Sequence, residues 1–168
     1  FLFASVLQRR YPRARIRLIT AGIPGDTAWG GAGRFGRDVV PHEPDLVVIQ
    51  FGGNDHFYQR PAEEYRRDLE MMAGACRRIG ARVILAAPPI VSPDTDTPMV
   101  KAAKDAGREL GVPVADFDGA LRRRGAGSRG PFPLACHPRP YQHAVMERVA
   151  DEAFTALVPA QARLRARL

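Results

Sequence analysis

The sequence predicts an α/β domain in which helices cover both faces of a parallel sheet. Three observations predict it. Short apolar runs at Arg15–Thr20, Asp45–Phe51, Arg82–Ala87 and Pro113–Phe117 alternate with stretches of helical periodicity. The run Leu46, Val47, Val48, Ile49 is apolar without alternation, as a strand covered on two faces is. The 168 residues suit one domain with a sizeable core, and no repeat or linker divides it, so a single domain is expected over residues 1–168.

The elements follow in order. Phe1 to Tyr11 reads as the end of an amphipathic helix, with Leu2, Val6 and Leu7 on one side and Pro12 stopping it. Arg15–Thr20 reads as a short strand through Ile16, Leu18 and Ile19. The glycine-rich turn "AGIPGDTAWGG" leads into a helical segment running to about Val40. The Asp45–Phe51 strand then breaks into Gly52, Gly53, Asn54, Asp55 and His56, residues that are backbone-permissive or polar. Pro61 to Ile79 reads as a strong helix, with Glu63 and Glu64 in its first turn and Arg77 and Arg78 in its last. The Arg82–Ala87 strand ends in the loop "PPIVSPDTDTP". A helix over Met99–Leu110, a strand over Pro113–Phe117, the loop "RRRGAGSRGPFP" and a helix over Pro140–Leu157 complete the chain. Right-handed crossovers bring the carboxyl-end loops to one rim, where such sheets bind ligands. "GIPGDT" and "GGND" therefore face one crevice.

Composition narrows the function. Hydrophobic residues at 45% and charged residues at 26% are ordinary for a globular protein. No apolar run approaches the roughly 20 residues that a membrane span needs. The net charge of +7 and pI near 10.2 come mostly from arginine, since Lys101 and Lys104 are the only lysines. The arginines are scattered (Arg9–Arg10, Arg66–Arg67, Arg77–Arg78, Arg122 to Arg124, Arg163 to Arg167), several beside Asp or Glu on helical faces, without interleaved aromatic residues. Solvated helix faces are expected rather than a nucleic-acid partner, whose retention would depend steeply on salt. Cys76 and Cys136 form neither a CxxC nor a zinc spacing, and read as small apolar groups.

Three motifs carry chemistry. Gly25 opens a helix whose N-terminus bears partial positive charge, so its backbone can face an oxyanion; Asp26 or Thr27 as a helix cap is the simpler use of the same residues. Asn54 offers a side-chain amide donor at the same rim, or an Asx-turn, and Asp55 can brace the turn. In "CHPRPYQH", His137 precedes the last helix in a proline-fixed loop and can act as a general base near neutral pH. His143 falls inside that helix, where packing or capping suits it better; His56 can line the crevice, and His42 reads as a surface residue.

The order of "AGIPGDT", "FGGND" and "HPRPYQH" resembles the second, third and fifth blocks of the SGNH (GDSL) hydrolase family, and the resemblance spans nearly the whole chain. It implies a flavodoxin-like three-layer α/β/α sandwich and hydrolysis of carboxylic esters, including acyl and acetyl groups on lipids, sugars or small molecules. By the same resemblance Gly25 and Asn54 are oxyanion donors and His137 is the catalytic base; no metal or cofactor is implied. An inactive binding module for acylated sugars on the same fold is the alternative.

Two features depart from the family pattern. The GDS block that carries the nucleophile is absent: Ser5, Ser92 and Ser128 are the only serines, and none falls in a strand-to-helix turn. Phe1–Tyr11 resembles the helix after that block, and no initiator methionine is present, so the expectation is that the block and the first strand lie upstream. In the strand order 2-1-3-4-5, that strand would stand between Arg15–Thr20 and Asp45–Phe51. The second departure is Leu134, which occupies the place of the aspartate three residues before the histidine. A Ser–His dyad, an acid from elsewhere or an inactive member would each accommodate it.

Overall fold

The computed structural model describes residues 7–90, 96–123 and 140–157. Among the described residues three parallel strands form the sheet: β1 (Leu46–Gln50), β2 (Arg82–Ala87) and β3 (Val114–Asp116), in that spatial order. Leu46 pairs with Arg82 and Gln50 with Ala86; Leu85 pairs with Val114 and Ala87 with Asp116. The helices are α1 (Ala28–Asp38), α2 (Gly53–Phe57), α3 (Ala62–Arg78), α4 (Pro98–Leu110), α5 (Phe117–Arg123) and α6 (Pro140–Leu157), with a 3-10 turn at Val40–His42.

β2 divides the core in two because successive side chains of a strand point to opposite faces. Val83, Leu85 and Ala87 join the cluster of α1, α3 and α4, with Phe35, Tyr65, Leu69, Met72, Val100 and Ala103. Ile84 and Ala86 join the other cluster, with Phe117, Leu121, Val145 and Val149 from α5 and α6. Helices thus cover both faces. On α3 the buried residues Tyr65, Leu69, Met72 and Cys76 recur every three or four positions, the stripe an amphipathic helix lays on a sheet. Burying each large side chain contributes roughly 1.5–3 kcal/mol. Burial raises the Cys76 thiol to about 11, so it packs as an inert apolar group. Cys136 lies outside the described residues.

Most predicted elements form within a residue or two of their expected bounds, and the Arg82–Ala87 strand and the Pro140–Leu157 helix match theirs. Residues 7–10 are helical, as the expected first helix requires. The Arg15–Thr20 strand is a correction: no strand forms there among the described residues, and Ile16, Leu18 and Ile19 are exposed. β1 pairs with β2 on one side only, so this segment has no ladder to join; a lone extended segment gains no sheet hydrogen bonds and leaves its backbone to water. The same open edge leaves Val48 of β1 at 39% exposure, where coverage on both faces was expected. Two short helices were not foreseen, α2 inside "GGNDHF" and α5 where a strand end and loop were expected. In α5, Asp116 accepts a hydrogen bond from Gly119 N–H at 2.9 Å, tying the end of β3 to the helix start.

Among the described residues no helix is long and apolar enough to cross a membrane.

Candidate active site

The first loop of the site is a tight turn. Asp26 N–H donates to the Ile23 carbonyl at 3.2 Å, with Pro24 second in the turn and Gly25 third at φ +80°. That is a type II turn, whose third position takes positive φ and therefore favours glycine. No atom crowds a Cβ built on Gly25, so the requirement is conformational. Thr27 caps α1, its hydroxyl accepting from Gly30 N–H. Asp26 is fixed by Arg34, whose Nε and Nη2 donate to Oδ2 at 2.9 and 2.8 Å. Arg34 also donates to the Ala21 carbonyl and to Asp38. Its charge is spent on holding the turn.

The second loop follows β1. Gly52 sits at φ +112°, and a Cβ there would stand 2.7 Å from Pro88 Cγ and 2.9 Å from the Tyr65 hydroxyl. Both torsion and space demand glycine. Gly52→Ala is expected to cost about 2–4 kcal/mol from left-handed strain and overpacking. Thermal unfolding should shift down by about 5–15 °C; an unchanged melting temperature would refute the packing argument.

Asp55, fully buried, joins the two loops. Its carboxylate accepts from Gly52 N–H at 3.1 Å and from Ala28 N–H, at the start of α1, at 3.1 and 3.2 Å. Asp55 thus braces its own turn, as expected, and also ties the end of β1 to the start of α1. Arg60 Nη1 donates to Asp55 at 2.6 Å and to Asp68 at 3.0 Å. Burial alone would lower the pKa of Arg60, but the hydrogen bonds to Asp55 and Asp68 outweigh it and hold it above its ordinary value. Burial, with Asp55 nearby, pushes the Tyr65 phenol well up, so it remains a donor to the Phe51 carbonyl at 3.2 Å. Sequence reasoning missed Arg60 and Asp68; Arg60, Glu64 and Asp68 at four-residue intervals were the available signal.

Gly25 and Asn54 are brought together. Asn54 Nδ2 donates to the Asp26 carbonyl at 2.7 Å, directly beside Gly25. The amide carries a second hydrogen, which this bond leaves for another acceptor. Gly25 is exposed and Asn54 half-buried, so the pair opens on solvent at the carboxyl-end rim of the sheet. His137 and Leu134, like Ser5, Ser92 and Ser128, lie outside the described residues. His143 falls in the first turn of α6. His56 is exposed on α2, and His42, in the 3-10 turn, is exposed as expected.

Two neighbouring features do not belong to the crevice. An open cavity of about 330 Å³ is lined by Ile19–Ile23, Arg34, Arg37, Asp38 and His42. It borders the unpaired Arg15–Thr20 segment, and its charged walls pair with one another. Past β3, Lys104 bridges Asp96 and Asp116 at 2.8 and 3.0 Å, while Arg122 joins Asp96 to the buried Asp118. Burial would lower the pKa of Lys104, yet its two carboxylate partners raise it. This cluster ties α4 to the end of β3 and to α5. Among the described residues no group of three or more His, Cys, Asp or Glu is placed to hold a metal ion.

Comparison with known proteins places this geometry in context. The profile of the GDSL-like lipase/acylhydrolase family matches residues 1–145. Esterase TesA of Pseudomonas aeruginosa is 38% identical over 69 residues, covering 41% of this chain and 34% of that protein. An acetylxylan esterase of Geobacillus stearothermophilus is 28% identical over 114 residues, covering 62% and 52%. These matches thus span about a third to a half of the relatives' lengths. A crystal structure of that acetylxylan esterase superposes with a TM-score of 0.78 at 22% identity, covering 90% of this chain and 78% of the other. LAE5, an alpha/beta hydrolase enzyme from the metagenome of Lake Arreo, Spain, gives 0.80 at 22%, covering 94% and 81%. At that identity the likeness establishes the shared fold.

Proposed function

The chain belongs to the GDSL-like lipase/acylhydrolase family, and from that premise we propose that it is the greater part of a serine ester hydrolase. Gly25 N–H and Asn54 Nδ2 are its oxyanion donors and His137 its general base. The nucleophilic serine stands on a further N-terminal strand that pairs with the free edge of β1. The Asn54–Asp26 hydrogen bond carries the reading, because it sets a side-chain amide beside the Gly25 peptide. In a type II turn the central peptide takes no part in the turn's own hydrogen bond, which leaves the Gly25 N–H for a ligand. The start of α1 nearby adds partial positive charge. Asp55 fixes both loops, so the donors need not reorganise as charge develops.

In this mechanism the serine Oγ attacks the ester carbonyl while His137 takes its proton. The tetrahedral oxyanion accepts from Gly25 N–H and Asn54 Nδ2. Collapse expels the alcohol, protonated by His137, and water, deprotonated by His137, then releases the acid from the acyl-enzyme. Leu134 cannot hold the imidazole, so its tautomer would have to be fixed by a backbone carbonyl in a Ser–His dyad or by an acid from elsewhere in the chain. Related esterases acting on aryl and acetyl-sugar esters support the reaction class.

The test is Asn54→Ala in the protein carrying its N-terminal strand. Loss of one oxyanion donor is expected to lower kcat for p-nitrophenyl acetate by about 10²–10³. A folded variant with wild-type kcat would remove Asn54 from the mechanism.

A further inference from the structure

We propose that Arg60 is a positioning residue for ester hydrolysis: its guanidinium offsets the charge of the buried Asp55, so that this carboxylate holds both oxyanion loops without opposing the oxyanion. The catalytic role rests on the hydrolase reading above; the ion pair itself does not. Asp55 is 0% exposed and adjoins Asn54 in the chain. Its carboxylate takes the amides of Ala28 and Gly52, one from each loop. Those are neutral donors, which solvate the charge but leave it in place. Among the described residues the one cation paired with Asp55 is Arg60, whose Nη1 donates to Oδ1 at 2.6 Å.

A strained turn returns the chain to this spot. Tyr58 N–H donates to the Asn54 carbonyl at 2.8 Å, Gln59 N–H to the His56 carbonyl at 3.0 Å, and Arg60 N–H to the Asp55 carbonyl at 2.9 Å. Gln59 is held at φ +52°, a conformation costly for a residue with a Cβ and kept where its surroundings enforce it. Arg60 thus meets Asp55 twice, its backbone on the carbonyl and its side chain on the carboxylate. α3 supplies the counter-anchor, because Nη1 also donates to Asp68 Oδ2 at 3.0 Å. The Arg60 side chain is only 17% exposed, so this is not a solvated surface pair of little consequence.

One nitrogen serves both carboxylates, so Asp55 and Asp68 are close to each other as well as buried. Without the guanidinium two like charges would face each other away from water, and one would be driven to take up a proton. A protonated Asp55 accepts less strongly from the two loops. An ionised, unpaired Asp55 sets a negative charge beside Asn54, against the oxyanion. Either outcome raises the barrier and leaves substrate affinity nearly unchanged, because a neutral ester gains its charge only on the way to the tetrahedral intermediate. A brace for the fold alone would act differently: its loss would lower Tm and leave kcat of the folded enzyme as it was.

The test uses the protein carrying the proposed N-terminal strand, at a temperature where circular dichroism shows each variant folded. Arg60→Gln, which keeps N–H donors and loses the charge, is expected to lower kcat for p-nitrophenyl acetate about tenfold, with KM within about twofold. Arg60→Lys, which keeps the charge, should stay within about threefold of the parent kcat. Because Arg60 acts through Asp55, adding Arg60→Gln to Asp55→Asn should lower kcat by less than about twofold further. That comparison also serves where Arg60→Gln alone does not fold: a further tenfold loss in the Asp55→Asn background would overturn the proposal. Amide exchange followed by NMR should quicken about tenfold at Ala28 and Gly52 in Arg60→Gln and hold at Leu69 and Ile84. Parent-like kcat in folded Arg60→Gln, equal losses with lysine and glutamine, or a change carried by KM would each overturn the proposal. Absence of hydrolysis by the parent would sink the hydrolase reading instead. Faster exchange at Ala28 and Gly52 would then leave Arg60 standing as the brace of the two loops, and unchanged exchange would remove that as well.

Discussion

His137→Ala, in the protein carrying the proposed N-terminal strand, should abolish turnover of p-nitrophenyl acetate, whereas His143→Ala should act mainly on stability. Removing the histidine of a related triad costs about 10⁶ in kcat, roughly 8 kcal/mol of transition-state stabilisation. The contrast is positional. α6 begins at Pro140, so His137 precedes the helix by three residues while His143 lies in its first turn. Pro138 and Pro140 limit the backbone around His137, which suits a base that must be held toward the rim. With Leu134 three residues upstream, no carboxylate at that position can hold the imidazole. The measurement is kcat for both variants, with unfolding followed by circular dichroism. Should both fold and His143→Ala be the inactive one, the assignment of the base fails.

Much of this architecture was legible where local chemistry and tertiary need agree. β2 reads as a strand because its apolar residues serve two cores at once, Val83 and Leu85 on one face and Ile84 and Ala86 on the other. α3 reads as a helix because its buried stripe has one period and its ends carry charges that suit the helix dipole. Gly52 was legible as backbone-permissive and stands at φ +112°, whereas Gly25, read as the opening of a helix, closes the turn ahead of the Thr27 cap at φ +80°. What escaped depended on loops meeting in space. The five residues of α2 are too few to show a period, and their anchor is Asp55 reaching Ala28, 27 positions away in sequence. The Asn54–Asp26 contact spans 28 positions, so the amide was visible as a donor but its neighbour was not. Arg15–Thr20 failed for the opposite reason: its apolar pattern is strand-like, but a strand exists only beside a partner.

That unpartnered edge gives the second large prediction. Residues 1–168 alone, and the same chain with the proposed N-terminal strand, should differ sharply in thermal unfolding and in ester hydrolysis. β1 offers one face of its ladder to β2 and leaves the other edge unpaired among the described residues. Val48 on that strand and Ile16, Leu18, Ile19 and Ile23 of the segment without a sheet partner are between 36% and 53% exposed. A strand added at the free edge of β1, with Arg15–Thr20 paired beyond it as the strand order 2-1-3-4-5 requires, would cover those side chains. Burying the exposed half of five such residues contributes about 5 kcal/mol, or roughly 10–20 °C in melting temperature for a domain of this size. An open edge also invites association with other chains, so the short form should aggregate more readily. The carboxyl end of the inserted strand would fall on the rim that holds Gly25 and Asn54, the place a nucleophile must occupy to present an ester carbonyl to both donors. In a related triad, loss of the serine costs about 10⁶ in kcat, so hydrolysis by the short form should be at background. The extension should therefore restore stability and activity together. A cooperative transition at the same temperature in both forms would refute the missing-strand argument. Undiminished hydrolysis by residues 1–168 would refute the missing-serine argument, and would send the search for the nucleophile back to Ser5, Ser92 and Ser128.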